Sequence, residues 1–200
     1  MLLVGLTGNI ASGKSTVSRM LAERGATVVD SDVLARQAVE VGTAGYDRIA
    51  ARWGDAVLAP DRQLDRAALR RIVFSDPAEL AELNAIVHPE VERMRARLIR
   101  EAEVRGDAVV VCDIPLLFER HLAEQFDRIV LVDAPRELRL DRLVRDRGLD
   151  RSEATDMIAA QIAAEQKRAL ADVVIDNDGT LEALERQVDD LWMALQADKL

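Results

Sequence analysis

The 200-residue chain predicts an α/β fold: a five-stranded parallel sheet flanked by helices, with an inserted helical lobe and a helical lid. Three observations predict it. The octapeptide Gly8-Asn9-Ile10-Ala11-Ser12-Gly13-Lys14-Ser15 fits the phosphate-binding template G-x-x-x-x-G-K-[ST]. Five short apolar stretches lack clean alternation and read as strands covered on both faces. Helical patterns separate them, the arrangement that builds parallel strands with crossover connections.

The first strand is the apolar run 2–6, directly ahead of the octapeptide, and residues 15–24 after it read as an amphipathic helix closed by Gly25. Strand, glycine loop and helix form the setting the template requires. Gly8 and Gly13 permit backbone conformations that side chains would obstruct, so successive N–H groups converge on phosphate oxygens at a helix N-terminus. Residues Gly8 through Thr16 are thus the expected nucleotide-binding segment, with Lys14 on the β- and γ-phosphates and the Ser15 hydroxyl on Mg²⁺. Lys14 is one of three lysines beside 24 arginines. A compact ammonium suits this loop where a planar guanidinium does not fit.

The remaining strands are expected at 27–30, 108–112, 128–132 and 173–175. Between the second and third lie helical patterns at 33–41, 46–53, 65–74, 78–86 and 90–104. Ser75-Asp76-Pro77 supplies a helix start, and His88-Pro89 separates the last two helices. That span is too long for a simple crossover and reads as an insertion. A second helical excursion follows the fourth strand. The expected organisation is a single domain with a core over about 1–31, 108–134 and 172–200, a helical acceptor-binding insertion over about 32–107, and a lid over about 135–171.

Composition narrows the class. At 49% hydrophobic and 32% charged residues, the chain can bury its own core. No run approaches membrane-spanning length, and the N-terminus lacks the pattern of a signal peptide. Cys112 is the single cysteine, so no internal disulfide forms and a cytoplasmic location is expected. A net charge of −9 and a pI near 4.9 argue against nucleic-acid or membrane partners. Residues 172–200 hold eight acids and two bases, a net of −6. The rest is nearly balanced and leaves room for a cationic polyphosphate site.

Asp30-Ser31-Asp32 follows the second strand at the edge where ligands bind in parallel sheets. Asp32 could orient an acceptor hydroxyl, accept its proton or help hold the Mg²⁺ shell; alternatively, Ser31 or Asp32 caps the next helix. Asp113 and Asp133 both end apolar strands, the placement of a Mg²⁺-associated acid in phosphate-loop enzymes; at least one is expected to be structural, and Asp113 is kept only as a possible group behind the metal site. Arg136, Arg139, Arg142 and Arg145 recur at intervals of three, a stripe able to clamp a transferring phosphate or to form ion pairs such as Asp141 with Arg145 and Arg142 with Asp146. Asn177-Asp178-Gly179-Thr180 is a turn and helix cap on the ligand edge. Phe118 and Trp53 read as core.

The residues from Gly5 to Val17, with Asp30-Ser31-Asp32, Leu64-Asp65-Arg66, Val73-Phe74, Leu83-Asn84-Ala85-Ile86-Val87-His88-Pro89, Pro115-Leu116-Leu117-Phe118-Glu119, Arg142 with Arg145, Gln161, and Ala171-Asp172 through Asn177, together resemble the dephospho-CoA kinase family. The resemblance implies a P-loop kinase core and ATP-dependent phosphorylation of the ribose 3′-hydroxyl of dephospho-CoA. Asp32 then resembles the base or hydroxyl-orienting acid, Lys14 and Arg142 the phosphate stabilisers, and Asn177 a nucleotide contact. Leu64, Arg66, His88, Leu117 and Phe118, with Asp32, fall in segments that would face dephospho-CoA. Asn9 and Ala11 stand where the family usually has glycines, and Arg139 where glutamine is common. The alternative is another small-molecule P-loop kinase, acting on nucleosides or nucleotides.

Overall fold

In the computed structural model, residues 1–197 are described; residues 198–200, part of the core expected over 172–200, lie outside them. Five strands, β1 (Leu2–Gly8), β2 (Thr27–Asp30), β3 (Val109–Asp113), β4 (Arg128–Asp133) and β5 (Val173–Asp176), form one parallel sheet in the order β2-β3-β1-β4-β5. Each expected strand exists, and four run one or two residues further at their carboxyl ends.

The strands read as continuous apolar runs because both faces are covered. Leu2, Val4 and Leu6 of β1, Val109 and Val111 of β3, and Val130 and Val132 of β4 are alternate residues, and they share one core with α1 (Lys14–Glu23) and α9 (Leu181–Ala197). Helix α9 presents Leu184, Val188, Leu191 and Leu195 to it, at the three-to-four-residue spacing of one helix face. On the opposite face a side chain at Gly5 would lie 2.6 Å from Leu117 and 3.0 Å from Phe126. Helix α1 ends as expected at Gly25, with φ +102° and the Ala26 N–H reaching back to Leu21 O.

The chain divides into two compact units, Asp30–Arg100 and the remainder. The smaller holds α2 (Ser31–Gln37), α3 (Ala44–Trp53), a 3-10 turn (Gly54–Val57), α4 (Arg66–Ser75) and most of α5 (Pro77–Arg105). Its buried side chains include Leu34, Tyr46, Ile49, Leu69, Val73 and Ile86. Trp53 is half-buried, its indole N–H donating to Glu79 at 2.7 Å. Asp76 accepts from Ala78 N–H ahead of α5, the expected helix start.

The expected break at His88-Pro89 is not there. Helix α5 runs unbroken for 29 residues with Pro89 inside it. Proline removes one backbone bond and discourages helix in the residue before it. Here Ile86 and Val91 are buried on either side, and packing of the continuing face outweighs the local preference. His88 is therefore a half-buried residue in mid-helix.

After β4 the chain forms α6 (Arg136–Arg147), α7 (Arg151–Ala159) and α8 (Ala164–Leu170). Leu140, Leu143, Ala154 and Ile158 of α6 and α7 form a small apolar cluster, and Ile10 and Ala11 of the phosphate loop pack against it. No described helix is long and apolar enough to cross a membrane.

Candidate active site

The parallel register places the chemistry. Leu6 pairs with Asp113, Gly8 with Val132, and Asp133 with Asp176. The ends of β3, β4 and β5 therefore meet the edge where β1 gives way to the phosphate loop. Asn177 N–H bonds Asp133 O at 2.7 Å, bringing the turn after β5 to the same edge.

The two glycines of the loop are required for different reasons. A side chain at Gly8 would sit 2.6 Å from Val132 O, whereas Gly13 has φ +94° and its added Cβ would lie 2.0 Å from Asn177 Nδ2. Gly13 precedes Lys14, the first residue of α1, so the N–H groups opening that helix carry the positive end of its dipole, a place suited to an anion. Ser15 is exposed on the first turn.

Lys14 forms an ion pair with Asp113, whose side chain is 3% exposed. Asp133, the other strand-ending acid, is structural. One oxygen accepts from Ala134 N–H at 2.8 Å and the other from Arg168 at 2.9 Å. Arg168 also bonds Asp176, and the two carboxylates hold its pKa above the ordinary arginine value. Spacing alone could not separate Asp113 from Asp133, and strand order does not either, since β3 and β4 both flank β1; the side-chain partners do, because Asp113 meets Lys14 while Asp133 is taken up by Ala134 N–H and Arg168.

The arginines of α6 do not act as one stripe. Arg142 donates to Ala11 O at 3.1 Å, to Ser12 O at 3.3 Å and to Asn177 O at 3.0 Å. Burial, then neighbouring Arg145, pushes its pKa below the ordinary arginine value, though it stays charged. Arg139 is 4% exposed and donates to Ala134 O at 3.0 Å, while its Nη1 has no partner. Arg136 and Arg145 are exposed. Arg145 pairs with Asp146 rather than Asp141, and Asp141 meets Arg151 at 3.9 Å. Asn177 turns its amide to Ser12 O at 2.7 Å, and Thr180 caps α9 through Ala183 N–H.

Two further anchors reach the loop. Ile10 N–H donates to Gln161 Oε1 at 2.7 Å, and the Asn9 amide to Ile162 O at 3.4 Å. Glu119 accepts from Ile162 N–H at 3.3 Å and lies 2.7 Å from the fully buried Lys167. Sequence reasoning kept Asp113 only as a possible outer group behind the Mg²⁺ site and assigned Glu119 and Lys167 no role. Only Asp113 stands out as a charge among apolar neighbours; Lys167 lies between Gln166 and Arg168, and the paired residues are 99 and 48 positions apart.

Leu117 is fully buried and Phe118 is 6% exposed, so in this conformation neither offers side-chain surface to a ligand.

Within the helical unit the cap of α2 is Asp30, which accepts from the N–H groups of Asp32 and Val33 at 2.8 and 3.1 Å. Neither Ser31 nor Asp32 caps, and the Asp32 side chain stands exposed on the first turn. Arg66 is exposed and donates to Arg36 O at 3.3 Å. Leu64 is half-buried and bridges Leu58.

A family model described as dephospho-CoA kinase matches residues 2–183. A dephospho-CoA kinase of Streptomyces avermitilis is 51% identical over 195 residues, covering 98% of this chain and 94% of the relative. One from Thermobifida fusca is 47% identical over 196 residues, covering 98% and 97%. Among solved structures, TT1252 from Thermus thermophilus superposes with a TM-score of 0.83 at 40% identity, covering 97% of each chain. Shikimate kinase from Acinetobacter baumannii, at 19% identity and a TM-score of 0.52, shares the fold alone. The chain belongs to the dephospho-CoA kinase family.

Proposed function

We propose that the protein transfers the γ-phosphoryl group of ATP to the ribose 3′-hydroxyl of dephospho-CoA, giving CoA and ADP in the cytoplasm. Family membership makes the chain a kinase that phosphorylates dephospho-CoA with ATP, the reaction that completes coenzyme A. The proposal adds the acceptor atom and the residues. The observation that carries it is the phosphate loop with Lys14 paired to a buried acid and Arg142 bound to loop carbonyls. Two cations held beside a helix N-terminus form a preorganised field for a polyphosphate, and phosphoryl transfer depends mostly on positioning and electrostatics.

Residues 8–16 cradle the ATP phosphates. Lys14 exchanges part of its contact with Asp113 for the β- and γ-phosphates, and Arg142 stabilises charge on the transferring group. Asn177 holds the nucleotide side of the loop. Ser15 and Asp113 are hard oxygen donors suited to Mg²⁺. That fits an ion held through one or two protein oxygens with phosphates and water. When bound, Mg²⁺ neutralises charge on the β- and γ-phosphate oxygens.

Asp32 orients the 3′-hydroxyl and takes its proton as transfer proceeds. Its exposure, with the cap supplied by Asp30 instead, supports that role. The region 32–107 receives dephospho-CoA, with Leu64, Arg66 and His88 as its contacts, and the buried Leu117 and Phe118 would need a different conformation to touch it. The region 135–171 is the lid.

The position of transfer is tested by ³¹P NMR of the product and its treatment with a 3′-nucleotidase. The reading predicts a phosphomonoester removed by that enzyme to regenerate dephospho-CoA; a product resistant to it would refute the acceptor assignment. Phosphorylation of nucleosides or nucleotides with none of dephospho-CoA would favour the alternative kinase.

A further inference from the structure

Ala11 lies in the middle of the phosphate loop with φ +60°. An alanine is disfavoured in this left-handed region, because its Cβ crowds the backbone there, and glycine is not. Such a conformation persists only where its surroundings over-determine it. Those surroundings are identifiable. Ile10 N–H is held by Gln161, the Asn9 side chain by Ile162 O, and Ala11 O by Arg142. Ile10 and Ala11 also rest on the apolar cluster of α6 and α7.

Gln161 and Ile162 lie between α7 and α8, in a stretch without helix of its own. Its anchor is Glu119, which receives Ile162 N–H and sits beside Lys167. Lys167 is wholly buried. Its ammonium has no acceptor in hydrogen-bond geometry, so the 2.7 Å approach to Glu119 acts as an ion pair, and Glu119 Oε2 is likewise buried without a partner. A buried charge pair of this kind is poor material for stability, since apolar residues of similar volume often do as well. Its use is to fix one arrangement. Of the two lysines among the described residues, one meets the phosphates and the other stands behind the loop that holds them.

We propose that Gln161, and Glu119 held by Lys167, are positioning residues for ATP: through the α7–α8 junction they keep Ile10 and Ala11 in the loop conformation that binds phosphate. This rests on the reading of the loop as the ATP site. Gln161 acts directly on the loop backbone, and the Glu119–Lys167 pair acts through Ile162.

The test measures ATP affinity by titration calorimetry, and kcat and KM for dephospho-CoA, in Gln161→Ala. One hydrogen bond to a strained loop predicts ATP binding weakened about tenfold, with the KM for dephospho-CoA within about twofold of wild type. Adding Ala11→Gly should restore at least half of the lost affinity, because glycine takes this φ without strain. Unchanged ATP affinity, equal loss toward both substrates, or no restoration by Ala11→Gly would overturn the proposal. Lys167→Met leaves the half-buried Glu119 carboxylate uncompensated and can prevent folding, so the pair is tested with Lys167→Met combined with Glu119→Gln. The same ATP-selective loss is expected; ATP affinity equal to wild type in that double variant would remove the pair from the proposal. A wild-type protein that binds no ATP would instead refute the reading of the site itself.

Discussion

The sheet unit and the helical unit hold their candidate site residues in opposite ways. In the sheet unit Lys14 is paired with Asp113, Arg142 is bound to three carbonyls, and Asn177 is bound to Ser12 O. In the helical unit Asp32 is exposed with its capping role taken by Asp30, and exposed Arg66 makes one long bond to Arg36 O. The first arrangement has its reorganisation done before a ligand arrives, which is what stabilising a diffuse phosphoryl charge demands. The second leaves polar groups available to an acceptor and makes them respond individually to substitution.

That contrast predicts a graded series. The largest effect belongs to Asp32→Asn, where loss of a proton-accepting carboxylate should lower kcat roughly 10²- to 10⁴-fold with ATP affinity preserved. Turnover within about threefold of wild type would exclude Asp32 as the essential acid. Next is Lys14→Arg, which keeps the charge but not the compact ammonium, and should cost roughly 10²-fold in kcat/KM for ATP; full activity would break the argument drawn from the scarcity of lysine.

Arg142 and Arg139 are one helical turn apart with different fates. Arg142→Gln should lower turnover roughly 10²-fold, the size of one lost transition-state donor. Arg139→Gln should stay within about threefold, because its guanidinium bonds Ala134 O and none of the loop. Steady-state kinetics on both variants decide it, and the reverse ranking would move the lid cation to Arg139. The smallest change is Arg66→Gln, for which an exposed cation predicts about a tenfold rise in the KM for dephospho-CoA and no change in ATP affinity. Weakened ATP binding in that variant would erase the distinction between the units.

Much of this was visible in the chain before folding, for physical reasons. Strands buried on both faces are continuous apolar runs, so β1 through β5 stood out. Gly8, Gly13 and Lys14 sit in a local segment whose geometry is fixed by backbone requirements. Gly25 and Pro77 mark helix ends through φ and a missing N–H, and both do so here. Other features depend on partners far along the chain. Pro89 suggested a boundary because a local rule cannot weigh the packing of Ile86 and Val91. The choice between Asp113 and Asp133 required their side-chain partners, Lys14 for one and Arg168 for the other. Glu119, Gln161 and Lys167 join the phosphate loop only once α7 and α8 are packed. Ala11 in place of glycine carried little meaning until its positive φ and the residues that enforce it were seen together.

The central claim is a two-substrate kinase with dephospho-CoA as acceptor, and the most direct measurement is ADP release from Mg-ATP, coupled to a spectroscopic readout, with dephospho-CoA, adenosine, AMP and a pantetheine-type acceptor compared at equal concentrations. The account predicts multiple turnovers with dephospho-CoA and kcat/KM at least about 10²-fold lower for each of the others, since they lack groups that its acceptor site would bind. ADP release that is equal with adenosine or AMP, or absent with dephospho-CoA, would contradict it.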